Sequence, residues 1–455
     1  MRSRSALPPG PSMPSALQLA GFWTRPLAFL ERCRERYGKR FTIRLPATPP
    51  FVMVTDPDEV KQVFTAPPDV LRPGEGARVL EPLVGRNSVL LLDEDAHMEQ
   101  RKLMLPAFHG ERMERLTGLM EEVTAEEVAA IPRDQPLALH PRTQELTLKI
   151  ILRAVFGLDP GPRFDSLCAR LGEMLEFGDK PISLLPPKPE SRIAQAAERV
   201  GPFARFLRIQ EEVDEIIFGL IAERRAEGGD RVDVLAMLLE ATHEDDSPMS
   251  EQEIRDELMT LLIAGHETTA TTLAWAFEQL VREPAVLGRL VAEIDAGEDD
   301  AYLTATIRET LRHRPVLPNV APRFVAQQVT VGDWTYESGC ALVANAYLIH
   351  HDAELYPEPY AFRPERFLDS SPGTYTWIPF GGGRRRCLGA SFAMLEMKVV
   401  LRALLGGCEL RNCGEGVEAA QRRNITVRPI RGARVVLGPR ALAAASDRPV
   451  ASPRA

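Results

Sequence analysis

The sequence predicts a mainly α-helical protein with a small β region. Most of the chain repeats apolar residues at helical spacing, and the segments that alternate apolar with polar are short and few. The longest helical pattern, Ser250 to Val281, opens on Ser250-Glu-Gln-Glu253, a capping box in which serine and glutamate satisfy each other's backbone N–H groups. In chain order, residues 1–14 contain Pro8, Pro9, Pro11 and Pro14 and read as a flexible lead-in. Pro26 to Tyr37 is amphipathic and stops at Gly38, while Phe41–Leu45 and Phe51–Thr55 alternate as strands do. Helical patterns follow at Gly110–Ala129, Thr143–Phe156, Ala194–Glu227 and Val232–Leu239. Val329 to Val343 reads as a hairpin, with turns at Gly332-Asp333 and Ser338-Gly339. Pro357 to Gly383, rich in proline, glycine and aromatics, reads as an ordered meander, and Ala390 to Leu405 is helical again. The Ala-, Ser- and Pro-rich residues 439–455 read as a disordered tail.

At 455 residues the chain exceeds the usual size of one core, yet no repeat or linker divides it, so 15–438 reads as a single domain. A formal charge of -9 argues against a nucleic-acid partner. The six cysteines (Cys33, Cys168, Cys340, Cys387, Cys408, Cys413) form no CxxC pair, which points to neither a disulfide framework nor a zinc site, and to a cytoplasmic location. No apolar run reaches the roughly 20 residues that span a bilayer, so no membrane anchor is expected.

The most informative stretch is Phe380-Gly-Gly-Gly-Arg-Arg-Arg-Cys-Leu-Gly389. A cysteine placed just before a helix meets unpaired backbone N–H groups at a positive dipole end, which favours thiolate, and Arg384, Arg385 and Arg386 push the same way. The surrounding glycines let backbone approach something large and flat. A thiolate backed by N–H donors is a way to hold a haem iron through sulfur.

The pattern Phe-x-x-Gly-x-Arg-x-Cys-x-Gly resembles the haem-ligand signature of the cytochromes P-450. Further elements of that family stand in the right order. Glu309-Thr-Leu-Arg312 puts two charges on one helix face, and Pro364-Glu-Arg-Phe367 resembles the family's second arginine element. The resemblance implies a structural triad of Glu309, Arg312 and Arg366. Ala264-Gly-His-Glu-Thr-Thr269 places four poor helix formers in mid-helix, and Thr268 is spaced to bond the Ala264 carbonyl and bend the helix. It resembles the family's oxygen-binding groove, with Glu267 and Thr268 as a proton-relaying acid and alcohol. His266 lies on another face and reads as a packing residue. His97 and Arg101 share a face at i, i+4; with Arg323 and Arg385 they resemble the ligands of the haem propionates.

The resemblance implies the family's helix-rich prism, with haem b (iron protoporphyrin IX) on an axial Cys387 thiolate between the long central helix and the cysteine loop, where Phe380 and Ala264 also border it. It implies a monooxygenase that activates dioxygen and hydroxylates an apolar small molecule of lipid, terpenoid or steroid-like kind. Electrons are expected from a separate ferredoxin or flavodoxin with its reductase, docking on Arg384, Arg386, His313 and Arg314. A peroxygenase, an isomerase and a non-catalytic haem ligand sensor are the competing uses of this scaffold; Glu267-Thr268 argues against the first two. The expected substrate walls are Val79–Leu92, Leu167–Pro187, Leu261–Thr268 and Val316–Val320, with Phe177 the nearest aromatic. The stretch from Leu290 to Ile307 is short and acidic beside the family's pattern.

Overall fold

In the computed structural model, which describes residues 7–108, 111–176, 202–228, 231, 233–297, 299–368 and 371–440, local signals set the element boundaries. Ser250 Oγ accepts from the Glu253 N–H at 3.2 Å and the Glu253 carboxylate takes the Ser250 N–H at 2.8 Å. The central helix accordingly runs from Glu251 to Leu280. It packs along the helix Leu139–Phe156, and a Cβ at Gly265 would stand 2.8 Å from Ile151 Cδ1, so glycine lets these two helices close up. The helices Pro26–Tyr37, Glu111–Ala130, Val234–Glu240 and Ala390–Gly407 fall where periodicity predicts them. Pro202–Glu227 forms the described part of the pattern expected from Ala194; residues 194–201 lie outside the described residues. Within the short acidic stretch, Pro284–Ala296 and Ala301–His313 are both helical.

The strands in chain order are β1 (Arg40–Ile43), β2 (Phe51–Val54), β3 (Leu71–Arg72), β4 (Pro136–Ala138), β5 (Arg323–Val325) and β6 (Val329–Val331). They continue with β7 (Trp334–Tyr336), β8 (Ala341–Ala344), β9 (Cys408–Asn412), β10 (Ala420–Arg423), β11 (Thr426–Pro429) and β12 (Arg434–Pro439). The largest sheet has the order β1-β2-β8-β5-β3. The hairpin expected over 329–343 is confined to β6 and β7; β8 leaves it to lie between β2 and β5. Its four residues are all buried, and a strand apolar on both faces belongs inside a sheet rather than at an edge.

Residues 7–14, expected as a flexible lead-in, are tied down. Thr42 N donates to the Pro9 carbonyl at 2.9 Å, Thr42 Oγ1 to Pro8 at 2.7 Å, and Gln18 Nε2 to Pro11 at 3.1 Å. Residues 1–6 and most of the expected tail, 441–455, lie outside the described residues.

The meander is fastened by the predicted triad. Glu309 and Arg312, both fully buried, form a two-point pair: Nε to Oε2 at 2.7 Å and Nη2 to Oε1 at 2.8 Å. Arg312 also donates to the carbonyls of His350 (2.7 Å), Pro359 (2.8 Å) and Ala361 (3.2 Å). Arg366 Nε stands 3.5 Å from Glu309 Oε1, which also accepts the Arg363 N–H at 2.8 Å. The chain of contacts reaches the cysteine loop: His350 Nε2 accepts from Ile378 N at 2.9 Å, and the Ile378 carbonyl accepts from Gly381 N at 3.0 Å.

Candidate active site

The cysteine loop closes on itself. Cys387 N donates to the Phe380 carbonyl at 3.0 Å, and Gly381 and Gly383 take φ of +66° and +64°, the left-handed region that suits glycine. A Cβ on Gly382 or Gly383 would collide with the ring or the carbonyl of Phe64. These glycines therefore admit a neighbouring helix, Pro57–Thr65, rather than a flat cofactor; only Gly389 has open space at its Cα and borders the cavity. Phe380 lines the cavity beside Trp377, ring centres 6.0 Å apart.

That cavity, about 970 Å³, lies between the cysteine loop and the central helix. It is at the upper end of the roughly 300–1,000 Å³ usual for small-molecule sites. Among the described residues Cys387 is the one cysteine that lines it, and its exposure is to this interior space. Cys408, at the start of β9, is buried against Arg133 and does not reach the cavity. Burial raises the Cys387 thiol above its ordinary pKa, outweighing the Gly389 N–H and the charges of Arg101 and Arg386. The expectation that the loop by itself favours thiolate is corrected: desolvation wins. A bound metal cation deprotonates such a thiol outright.

On the opposite partner, the central helix, Ala264, Gly265, Glu267 and Thr268 line the same cavity. Thr268 Oγ1 donates to the Ala264 carbonyl at 2.6 Å, as the spacing predicts, within a helix that runs on from Glu251 to Leu280. Glu267 is not free at the cavity wall. Its carboxylate takes hydrogen bonds from Arg423 Nη1 (3.0 Å), Gln144 Nε2 (2.7 Å) and Thr271 Oγ1 (3.3 Å). His266 turns away to Thr147, Oγ1 to Nδ1 2.9 Å, and is a packing residue.

Four cationic or cationisable side chains meet at one edge of the cavity. His97 is buried; burial first, then Arg385, Arg101 and Arg323, push its pKa down to about 3, so it is a neutral imidazole at pH 7. Arg323 is buried over the Phe64 ring at 5.7 Å, its Nη1 has no hydrogen-bond partner among the described residues, and burial lowers its pKa to about 10. Arg101 is half-buried and its pKa is lowered by burial. Arg385 has its donors engaged: Nη1 to Val89 O at 3.1 Å, Nη2 to Asp93 Oδ1 at 2.8 Å and to the Leu92 carbonyl. It therefore holds the segment 89–93 in place and adds charge to the edge. Asp93 is the acid that opposes these charges.

Of the four expected docking residues, His313 is buried with Nε2 3.0 Å from the Tyr360 carbonyl, and Arg314 packs over Trp275 at 5.4 Å. His313 offers no surface charge and Arg314 is half-buried, whereas Arg384 and Arg386 are exposed. All four predicted wall segments contribute, through Val79, Met174, Leu261 and Val316 among others; Phe177 and the rest of 177–187 lie outside the described residues. Among the walls that sequence reading missed are Phe22, the loop before β2, Ile151 to Val155, and the β10–β11 tip, Arg422 to Thr426. The signal for the tip was an alternating Gln-Arg-Arg-Asn-Ile-Thr-Val with a turn residue at Asn424, whose φ is +48°.

The profile of the cytochrome P450 family matches residues 5–436. This chain belongs to the cytochrome P450 family. A Mycobacterium tuberculosis protein provisionally named cytochrome P450 135B1 is 38% identical over 443 residues, covering 95% of this chain and 92% of the relative. Another from that organism, provisionally named cytochrome P450 138, is 39% identical over 433 residues, covering 95% and 96%. In fold, the heme domain of cytochrome P450DA superposes with a TM-score of 0.83 at 22% identity, covering 97% of this chain and 99% of that one. Cyanobacterial CYP120A1, solved with retinoic acid bound, gives 0.80 at 22% identity, covering 96% and 100%. The P450 is thus a monooxygenase of the haem-thiolate type, built on the expected mainly α fold. No helix among the described residues is long and apolar enough to cross a membrane.

Proposed function

We propose that Cys387 is the axial ligand of haem b and that the cavity above it hydroxylates an apolar small molecule of lipid, terpenoid or steroid-like kind. The observation that carries this is the pairing, in one cavity, of the lining cysteine with the Ala264–Thr268 stretch of the central helix. The edge cations fit the carboxylates of the group: Arg323 Nη1 is buried without a hydrogen-bond partner among the described residues, and His97 and Arg101 stand beside it with Asp93 as the opposing acid. A bound haem supplies the iron at which dioxygen is reduced and one oxygen atom is passed to substrate.

The chain's own residues do the rest. The Gly389 N–H points at the Cys387 sulfur and the Phe380 carbonyl holds the Cys387 N–H, so the ligand's position is set by backbone. Ala264 and Gly265 keep bulk off the helix wall, and aliphatic walls exclude water from the reacting end. Thr268, anchored on Ala264, holds a proton at its Oγ1, and Glu267 replenishes it. Because Glu267 is paired with Arg423 and Gln144, that delivery requires its carboxylate to exchange partners or to act through water. We place the protein in the cytoplasm and assign its electrons to a separate ferredoxin or flavodoxin with its reductase, docking beside exposed Arg384 and Arg386.

The test is coupling. With reductase, redox partner and isotopically labelled dioxygen, wild-type protein should place one labelled oxygen in the product for each reduced nicotinamide consumed. Thr268→Ala should go on consuming nicotinamide while diverting it to hydrogen peroxide and losing product. An unchanged product-to-nicotinamide ratio in Thr268→Ala removes the relay.

A further inference from the structure

Among walls that are largely aliphatic, the β10–β11 tip brings a buried charge to the cavity. Arg422 and Arg423 end β10, and alternation along a strand sends their side chains to opposite faces. Arg423 turns to the central helix and Glu267. Arg422 turns to the N-terminal helix Ser15–Thr24, where its Nε donates to the Phe22 carbonyl at 3.1 Å and its guanidinium lies 3.9 Å over the Phe22 ring. Among the described residues Nη1 reaches only the Asn424 carbonyl, at 3.5 Å, and Nη2 has no hydrogen-bond partner. The side chain is 3% exposed and borders the cavity.

A guanidinium taken out of water without a counter-charge is costly, and such groups are retained where something pairs with them. Burial alone accounts for the lowering of Arg422 to about 9, which leaves it protonated at pH 7. Arg422 lies against Phe22, whereas at the other edge His97 feels the charges of Arg385, Arg101 and Arg323. We propose that Arg422 anchors the carboxylate of the substrate, making this P450 selective for apolar carboxylic acids held by one end. A single guanidinium matches one negative charge, whereas a phosphate monoester carries about two. The inference rests on the cavity being the substrate pocket of the proposed monooxygenase and adds the class of molecule it takes.

The experiment uses haem-replete full-length protein and three skeletons, each as free acid and methyl ester: dodecanoic, farnesoic and lithocholic acid. Binding is followed at neutral pH by the haem spectral shift and, independently, by equilibrium dialysis. A charge-assisted hydrogen bond should make the acid about tenfold to a hundredfold tighter than its ester on at least one skeleton. Arg422→Met, which keeps an unbranched apolar stem against Phe22, should bring acid and ester to parity without weakening the ester. If that variant does not fold, Arg422→Gln, which still has a donor for the Phe22 carbonyl, is read the same way. Parity in wild-type protein on all three skeletons overturns the assignment, as does an acid preference that survives in a folded variant. The carbon-monoxide spectrum separates the two layers: a protein without the red-shifted thiolate band fails the proposed function, and one with the band but no acid preference fails Arg422 alone.

Discussion

Arg312 and Arg323 are both buried, at 0% and 5% exposure, and differ in what surrounds them. Arg312, beneath the cysteine loop, has a two-point carboxylate partner and three backbone carbonyls, so its donors are consumed by the protein. Arg323, at the cavity edge, has a phenyl ring, a distant acid in Asp93 and an Nη1 with no partner among the described residues. Arg422 repeats the second pattern at the hairpin tip. A saturated buried arginine holds the fold; an unsaturated one beside a cavity is held in reserve for something that enters it.

Breaking the saturated side should have the largest effect. Glu309→Ala strands Arg312 in the core, and removing one partner of a buried ion pair costs roughly 3–5 kcal/mol. Denaturant unfolding and haem yield should both collapse, and a well-folded, haem-replete Glu309→Ala would contradict the account of the triad.

Acid should weaken the fold next. His350 accepts the Ile378 N–H on its ring, and burial holds its pKa near 3; His97, His140 and His266 are likewise pushed down to about 3 by burial. An unfolded histidine titrates near ~6.5, so below that pH the unfolded chain binds protons that the folded chain refuses. This contribution is present in full above about pH 6.5 and is lost progressively as pH falls toward about 3. Unfolding free energy measured from pH 7.5 to 4.5 should fall continuously; a flat profile would mean that these imidazoles protonate without cost.

The smaller effect is the sharper one. Arg323→Met removes a buried charge that no carboxylate among the described residues contacts, so the haem-free protein should be as stable as wild type or more so. The haem-loaded variant should release haem faster to an acceptor such as apomyoglobin. Destabilisation of the haem-free protein comparable to that of Glu309→Ala would erase the distinction between the two arginines.

What was legible in the sequence was local or carried by a dense motif. Ser250 and Glu253 start the central helix three residues apart, Thr268 finds Ala264 four residues back, and Glu309 and Arg312 pair across one turn. Arg366 was reachable because its segment resembles a known element. The partner of Glu267 was not, since Arg423 lies 156 residues away and no local pattern joins them. Gly382 and Gly383 signalled a close approach, but a cofactor and the ring and carbonyl of Phe64 ask for the same missing Cβ. Three consecutive arginines likewise read alike and fold apart: Arg384 and Arg386 are exposed, while Arg385 is tied to carbonyls and Asp93. Burial of a charge is a property of the assembled walls, which is why Arg422 escaped notice and His313 was expected at the surface.

The central claim is that the cavity cysteine, and no other, is the thiolate ligand. The direct measurement is the carbon-monoxide difference spectrum of reduced Cys387→Ser and Cys408→Ser beside wild type. The account predicts the red-shifted Soret band in wild type and Cys408→Ser, and its loss in Cys387→Ser. A band that survives in Cys387→Ser, or vanishes in a folded, haem-containing Cys408→Ser, would contradict it.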